Sequence, residues 1–319
     1  MADVHTVQGP VDADELGVVL IHEHVRFRDD AVAAEWPDRY DEAAELDAAL
    51  EIVSAARERG VQTIVDPTAM YGGRDVRFMK EVAEKTGVRI VACTGIYSYD
   101  FLPHYFANRD VDAMAEHFVA DIERGIQGTD IKAAFLKCAA DAAGVTENVE
   151  KMHRACARAS LQTGAPIMAH SMPAVGTGPR QVEIFRDEGV PMERVQIAHT
   201  GDTDDLDYIE GLIAEGVYVG LDRYGIEMFL SFDKRNATAA ELLRRGHAKQ
   251  LMISQDFCAT LDWYPEEARP VFEAQGAIRN WSMTLVFDEV VPALREQGAL
   301  DDEAFQTIFV ENPKRWLTA

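Results

Sequence analysis

One phrase recurs along the chain: an amphipathic helical pattern, a glycine, then a short apolar run. Gly60 precedes Val61-Gln62-Thr63-Ile64-Val65-Asp66, Gly87 precedes Val88-Arg89-Ile90-Val91-Ala92-Cys93-Thr94, and Gly164 precedes Ala165-Pro166-Ile167-Met168-Ala169-His170. Gly189 comes shortly before Val195-Gln196-Ile197-Ala198-His199, Gly216 directly before Val217-Tyr218-Val219-Gly220-Leu221-Asp222, and Gly246 shortly before Gln250-Leu251-Met252-Ile253-Ser254-Gln255-Asp256. Glycine suits the position after a helix because it takes positive φ without a Cβ clash. The opening run Val18-Val19-Leu20-Ile21 and the run Ala133-Ala134-Phe135-Leu136-Lys137 bring the predicted strands to eight. Between them lie helical patterns. From Asp110 to Gly125, Asp110 suits an N-cap, and Val111, Met114, Phe118 and Ile122 recur on one face; Leu206, Ile209 and Ile213 repeat the pattern. Near-continuous apolar strands alternating with helices predict a parallel sheet covered on its outer face. Eight such units in about 260 residues fit a closed (β/α)8 TIM barrel better than an open doubly wound sheet. No low-complexity linker or charge block divides the chain, so residues 1–319 read as a single α/β domain.

The charge balance narrows the partners. Lys and Arg number 31 against 55 Asp and Glu, a net charge of −24. A surface this acidic repels phosphate backbones and anionic membranes, which argues against nucleic-acid and membrane partners. Solubility or adaptation to salt accounts for the charge more simply than any functional use. Cys93, Cys138, Cys156 and Cys258 are scattered and form no Cys-x-x-Cys, so neither a zinc finger nor a disulfide framework is expected. The first residues lack a basic and an apolar leader region, and no apolar run approaches the roughly 18 residues of a membrane span. A cytoplasmic location is the default expectation.

In a (β/α)8 barrel, chemistry collects at the C-terminal ends of the strands. Here the predicted ends carry His22 and His24 on strand one, Lys137 on strand four, His170 on strand five, His199 on strand six and Asp256 on strand eight. Residues i and i+2 of a strand point to one face, so His22 and His24 are expected to project side by side. Taken alone, the pair is equally what one core histidine and one loop histidine would look like. The other histidines, His5, His104, His117, His153 and His247, fall in predicted loops or helices and read as non-functional. Four histidines and a carboxylate exceed the three protein ligands of a single catalytic zinc and suit two metals about 3.5–4 Å apart. An ammonium beside two cations is electrostatically wrong. A lysine that has captured carbon dioxide as a carbamate could bridge them, but chemistry alone favours Lys137 as an ion-paired lysine.

The chain resembles the phosphotriesterase family of the amidohydrolase superfamily, and within it the phosphotriesterase-like lactonases. The resemblance runs essentially end to end, through Leu20-Ile21-His22-Glu23-His24, Thr63-Ile64-Val65-Asp66-Pro67-Thr68, Gly95-Ile96-Tyr97 and Phe135-Leu136-Lys137. It continues through His199-Thr200-Gly201-Asp202-Thr203-Asp204, Gly220-Leu221-Asp222-Arg223-Tyr224-Gly225, Ser254-Gln255-Asp256 and Glu311-Asn312-Pro313. It implies a binuclear centre in which His22, His24 and Asp256 hold the more buried metal, His170 and His199 the more exposed one, and carboxylated Lys137 bridges both. Zinc is the first expectation, and iron, cobalt and manganese suit the same ligands.

By the same resemblance, Tyr97 after strand three and Arg223 after strand seven orient the attacking water and the substrate carbonyl. The long segment from Phe257 to Trp281 carries Cys258, Trp263, Tyr264 and Phe272; a loop this long is usually functional, and the resemblance implies that it forms an apolar acyl channel, with Phe229 lining it too. Packing within the loop or a dimer contact would account for these aromatics equally well. Glu23, between the two histidines, should face away from the metals, as should Gln255, which stands where close relatives often carry His. Gly72 and Gly73 suggest a small, mobile loop after strand two.

The resulting expectation is a homodimeric metal-dependent lactonase. A metal-bridging hydroxide would attack the carbonyl of N-acyl-homoserine lactones or aliphatic γ- and δ-lactones, a quorum-quenching chemistry. Asp256 would carry the proton, and organophosphate triesters would be incidental substrates. The rival readings are a primary phosphotriesterase (an aryldialkylphosphatase), a mononuclear deaminase-type hydrolase, which Lys137 argues against, and a non-enzymatic barrel, which should have lost ligands.

Overall fold

The computed structural model describes residues 2–265 and 267–319. Eight parallel strands follow one another around the molecule: β1 (Val19–Leu20), β2 (Thr63–Asp66), β3 (Arg89–Gly95), β4 (Phe135–Ala139), β5 (Ile167–His170), β6 (Val195–Ala198), β7 (Tyr218–Leu221) and β8 (Leu251–Ile253). Each strand is hydrogen-bonded to its sequence neighbours, from β1 through to β8. Among the described residues no ladder joins β8 back to β1. That seam is closed higher up, by a short parallel pairing of Glu23–His24 with Phe257–Cys258 and by the Asp256 amide donating to the His22 carbonyl at 3.1 Å.

Helices fill the intervals: α1 (Glu42–Glu58), α2 (Val76–Thr86), α3 (Val111–Glu123), α4 (Glu147–Thr163), α5 (Thr177–Glu188), α6 (Leu206–Ala214) and α7 (Phe232–Arg244). The expected N-cap holds, because Asp110 Oδ1 accepts from the Ala113 amide at 2.9 Å. On α3, Met114 and Phe118 are buried in the layer between helices and sheet, while Val111 and Ile122 lie half-covered at its edge. Gly87 and Gly164 end α2 and α4 in the left-handed region, at φ 71° and 85°, as their sequence position predicts.

A second apolar layer fills the barrel itself. Ile21, Val65, Val91, Phe135, Met168 and Met252 meet inside it. Trp316, on the C-terminal helix Asn312–Leu317, stacks on Phe135 with ring centroids 5.4 Å apart and donates its indole N–H to Arg194 O at 3.1 Å. An antiparallel hairpin, Asp3–Thr6 with Gly9–Asp12, adds Val4 to the same cluster. A packed interior of this kind leaves the opposite, C-terminal face as the place for a cavity. No helix among the described residues is long and apolar enough to cross a membrane.

Three expectations change. The opening run forms a strand only at Val19–Leu20. The His22 amide bonds to the Ser254 hydroxyl at 3.2 Å, so it leaves the ladder. Lys137 sits in the middle of β4, because Cys138 and Ala139 go on pairing with Ala169 and His170. His5 lies in a strand of the hairpin, a segment too short and polar to stand out by pattern. Gly72 and Gly73 mark close packing: a Cβ on Gly72 would come within 3.0 Å of Phe27, and one on Gly73 within 2.8 Å of Arg28.

Candidate active site

The residues singled out at the strand ends do converge. His22 and His24 follow β1, His170 ends β5, His199 is the first residue beyond β6, and Asp256 lies three beyond β8. Lys137 rises from inside the barrel as one of its largest fully buried side chains. Its Nζ lies 3.3 Å from His22 Nε2. Asp256 Oδ1 is 3.4 Å from His22 Nε2 and 3.2 Å from His24 Nε2, and Asp256 Oδ2 is 3.9 Å from His199 Nε2. The rings of His170 and His199 stand 4.4 Å apart at 78°. Ligand atoms of His22, His199 and Asp256 lie within 4.8 Å of one another.

Two of these residues adopt backbone conformations that L-residues avoid: His199 at φ 63° and Asp256 at φ 53°. Such a conformation costs on the order of 1–3 kcal/mol and persists only where its surroundings over-determine it. The His199 amide is held by Asp222 Oδ1 at 2.8 Å. Around Asp256, the carboxylate of Glu23 accepts from the Ser254 hydroxyl (2.6 Å), the Gln255 amide (3.0 Å) and the Phe257 amide (2.9 Å), bracketing the aspartate on both sides. Glu23 does turn away from the histidines, and so does Gln255, whose side chain reaches Glu23, Met283 O and the Val286 amide.

The imidazoles are anchored from behind. Asp222 accepts from His22 Nδ1 at 3.1 Å and from His199 Nδ1 at 2.9 Å. A carboxylate only accepts, so both rings carry their proton on Nδ1 and turn an Nε2 lone pair to the centre. His24 Nδ1 bonds Thr68 Oγ1 at 2.6 Å. Burial holds His22 and His170 neutral, lowering each to about 4, and pushes His199 down as well. Burial likewise lowers Lys137, disfavouring its ammonium. For Asp256, burial alone would raise the carboxyl, but the charged Arg223 guanidinium beside it helps hold it well below the ordinary carboxylate range. Neutral imidazoles beside an ionised carboxylate and a buried amine form a donor set suited to divalent cations. The buried Nδ1 of His170, which has no hydrogen-bond partner among the described residues, fits that reading, because such an atom is costly unless something binds it.

Arg223 bridges two acids, with Nε 3.0 Å from Asp256 Oδ2 and Nη1 3.0 Å from Asp202 Oδ2. Tyr97, two residues beyond β3, packs edge-on against His170 and hydrogen-bonds the Tyr99 hydroxyl. Gly95 makes that turn possible, since a Cβ there would sit 1.9 Å from Lys137 O. Above lies a cavity of about 400 Å³ whose floor includes His24, Tyr97, Asp141, Arg223 and Asp256. Its walls include Phe27, Phe229, Cys258, Trp263, Tyr264 and Phe272, so every substrate-contact residue expected from the sequence lines it. The Arg223 guanidinium lies 4.8 Å from the Phe229 ring.

Sequence reasoning did not single out Asp222, Thr68, Asp141, Asp202 or Tyr99 as site residues. Asp222 alone left a usable signal, a carboxylate at the predicted end of strand seven. Thr68, Tyr99 and Asp141 sit on loops and Asp202 in a single 3-10 turn, where no periodicity says which way a side chain faces.

The model of the phosphotriesterase family matches residues 2–317. An aryldialkylphosphatase of Saccharolobus solfataricus is 45% identical over 308 residues, covering 97% of each chain. A phosphotriesterase homology protein of Mycobacterium tuberculosis is 40% identical over 99% of this chain and 97% of its own. The solved structure of the phosphotriesterase from Mycobacterium tuberculosis superposes with a TM-score of 0.93 at 39% identity, over 99% of this chain and 98% of that one. The family is one of binuclear metal-dependent hydrolases. The end-to-end match, together with the convergent histidines, shows that this chain is an ester-hydrolysing enzyme belonging to the phosphotriesterase family.

Proposed function

We propose that the protein is a lactonase, opening N-acyl-homoserine lactones or aliphatic γ- and δ-lactones, with organophosphate triesters as weaker substrates. The observation that carries this reading is the cavity: a polar floor of Asp256, Arg223 and Tyr97 beneath aromatic walls fits a polar ring carrying an apolar chain. His22, His24 and Asp256 would hold one divalent cation and His170 and His199 a second, with Lys137 as a carbamate between them. Zinc is the first candidate, and two copies of the chain the expected assembly. When bound, the cations supply Lewis acidity and lower the pKa of water toward neutrality.

The chain's own groups do the rest. Asp256, kept ionised, accepts the proton of the attacking water and returns it to the leaving alkoxide. Arg223 holds the Asp256 carboxylate in place through its 3.0 Å contact. Tyr97, with its hydroxyl pushed well above its ordinary range by burial, stays a neutral donor and orients the carbonyl oxygen. Phe229, Cys258 and Trp263 cover the acyl chain and exclude water, which strengthens the polar contacts beneath.

A second reading, a primary phosphotriesterase, is favoured by the name of the aryldialkylphosphatase that is 45% identical. One experiment separates the two. Metal-replete protein is assayed by pH-based hydrolysis over lactones of graded chain length and over a paraoxon-like triester, each with and without chelator, and metals are counted on the same sample. The lactonase reading expects chelator-sensitive turnover with a higher kcat/KM for lactones. Absence of such turnover across the lactone panel overturns it, and a preference for the triester establishes the second reading.

A further inference from the structure

His170 is oriented oppositely to its neighbours. Asp222 anchors His22 and His199 through Nδ1, and Thr68 anchors His24 the same way. His170 is anchored through Nε2 instead, 2.7 Å from Asp141 Oδ2. Because the carboxylate only accepts, Nε2 carries the proton, and the lone pair is left on Nδ1, a buried atom with no partner among the described residues.

Asp141 is well placed to impose that choice. It stands two residues beyond β4, at a turn in which the Gly144 amide donates to Asp141 O at 2.7 Å. Its own Oδ1 accepts from the Ala142 amide, also at 2.7 Å, leaving Oδ2 for the imidazole. The ring has little room to turn. Tyr97 and Tyr99 lie 5.5 and 5.4 Å from it, centroid to centroid, and His199 lies 4.4 Å away.

We propose that Asp141 is a positioning residue for the second cation: by taking the Nε2 proton it fixes the tautomer of His170 and presents Nδ1 as the ligand atom. The proposal rests on the binuclear reading above. A carboxylate behind a ligating imidazole fixes the ring and raises its basicity, and its loss lowers metal affinity by about 10–100-fold. The asparagine variant keeps an acceptor without the charge, so Asp141→Asn should retain part of what Asp141→Ala loses.

The test uses the full chain, stripped of metal and then titrated with cobalt(II), in wild type, Asp141→Ala and Asp141→Asn. Cobalt absorption and calorimetry count the sites and measure their affinities. Histidine-selective 15N spectra of the metal-free proteins read the tautomer of His170 independently, and circular dichroism confirms folding. Wild type should bind two cobalt ions and show His170 protonated on Nε2. Asp141→Ala should bind the second ion about 10–100-fold more weakly, leave the first unchanged and lose the Nε2–H signature, with Asp141→Asn between them. Unchanged affinities and an unchanged tautomer in Asp141→Ala overturn the proposal. A wild type that binds no cobalt overturns the binuclear reading instead. The tautomer then decides Asp141 separately: its loss in the alanine variant supports the positioning role, and its persistence refutes it.

Discussion

Glu23 accepts two hydrogen bonds from Gln255, one from its backbone amide at 3.0 Å and one from its side-chain Nε2 at 2.9 Å. This pair stitches the segment after β1 to the segment after β8, beside the short pairing of Glu23–His24 with Phe257–Cys258; among the described residues no ladder joins β8 itself to β1. Four donors around one fully buried carboxylate keep it satisfied without a cation. They also leave Asp256, between Gln255 and Phe257, in its left-handed conformation.

Glu23→Gln preserves size but sets an NH2 group against a donor. We expect a loss of roughly 2–4 kcal/mol in urea unfolding, in the range for breaking a buried charged hydrogen-bond network. A fall in kcat should accompany it as Asp256 shifts. Unchanged stability would show that the seam is held by the surrounding apolar packing.

Asp256→Asn removes the proton acceptor of the proposed mechanism while keeping the shape of the side chain. A drop in kcat of at least about a hundredfold is expected, with the far-ultraviolet circular dichroism and unfolding midpoint largely retained. A variant with near wild-type kcat would assign the proton transfer elsewhere.

Trp263 packs on Phe27 at 5.4 Å and Tyr97 at 6.0 Å, with nearly half its surface open to solvent at the cavity wall. On the lactonase reading proposed above, its truncation removes apolar cover from the acyl chain, worth about 1.5–3 kcal/mol. Trp263→Ala should therefore raise KM for long-chain lactones by about tenfold or more and change short-chain substrates little. An equal effect on both would place Trp263 at the reacting end of the substrate.

The buried imidazoles give the metal-free protein a defined pH dependence. His22 and His170 are lowered to about 4, against about 6.5 in an unfolded chain. Between those values the unfolded state binds protons that the folded state does not. Stability is therefore full above the unfolded pKa and falls as pH drops toward 4. Two such groups give a slope of at most about 2.7 kcal/mol per pH unit. Urea unfolding at pH 7, 6, 5 and 4.5 tests this, and a flat profile would mean that these rings are not buried as neutral imidazoles.

Composition, periodicity and spacing determined the strand count, the wrapping helices and the residues carried near the strand ends. They succeed because each is local: a buried parallel strand must be apolar along its length, and a helix must be apolar on one stripe. His22, His24, His170, His199 and Asp256 were legible for that reason, as was the outward turn of Glu23 and Gln255. The resemblance to a family added the ligand assignment for Lys137, which chemistry alone did not favour. Tertiary structure decided what no local pattern encodes. It put Lys137 in mid-strand beneath the site, broke β1 so that Glu23 could close the seam, and packed Gly72 and Gly73 against Phe27 and Arg28. It also turned His170 opposite to its three neighbours, because the side chain behind it, Asp141, comes from a loop 29 residues earlier. Which nitrogen an imidazole offers depends on the partner behind the ring, and that partner is set by three-dimensional packing.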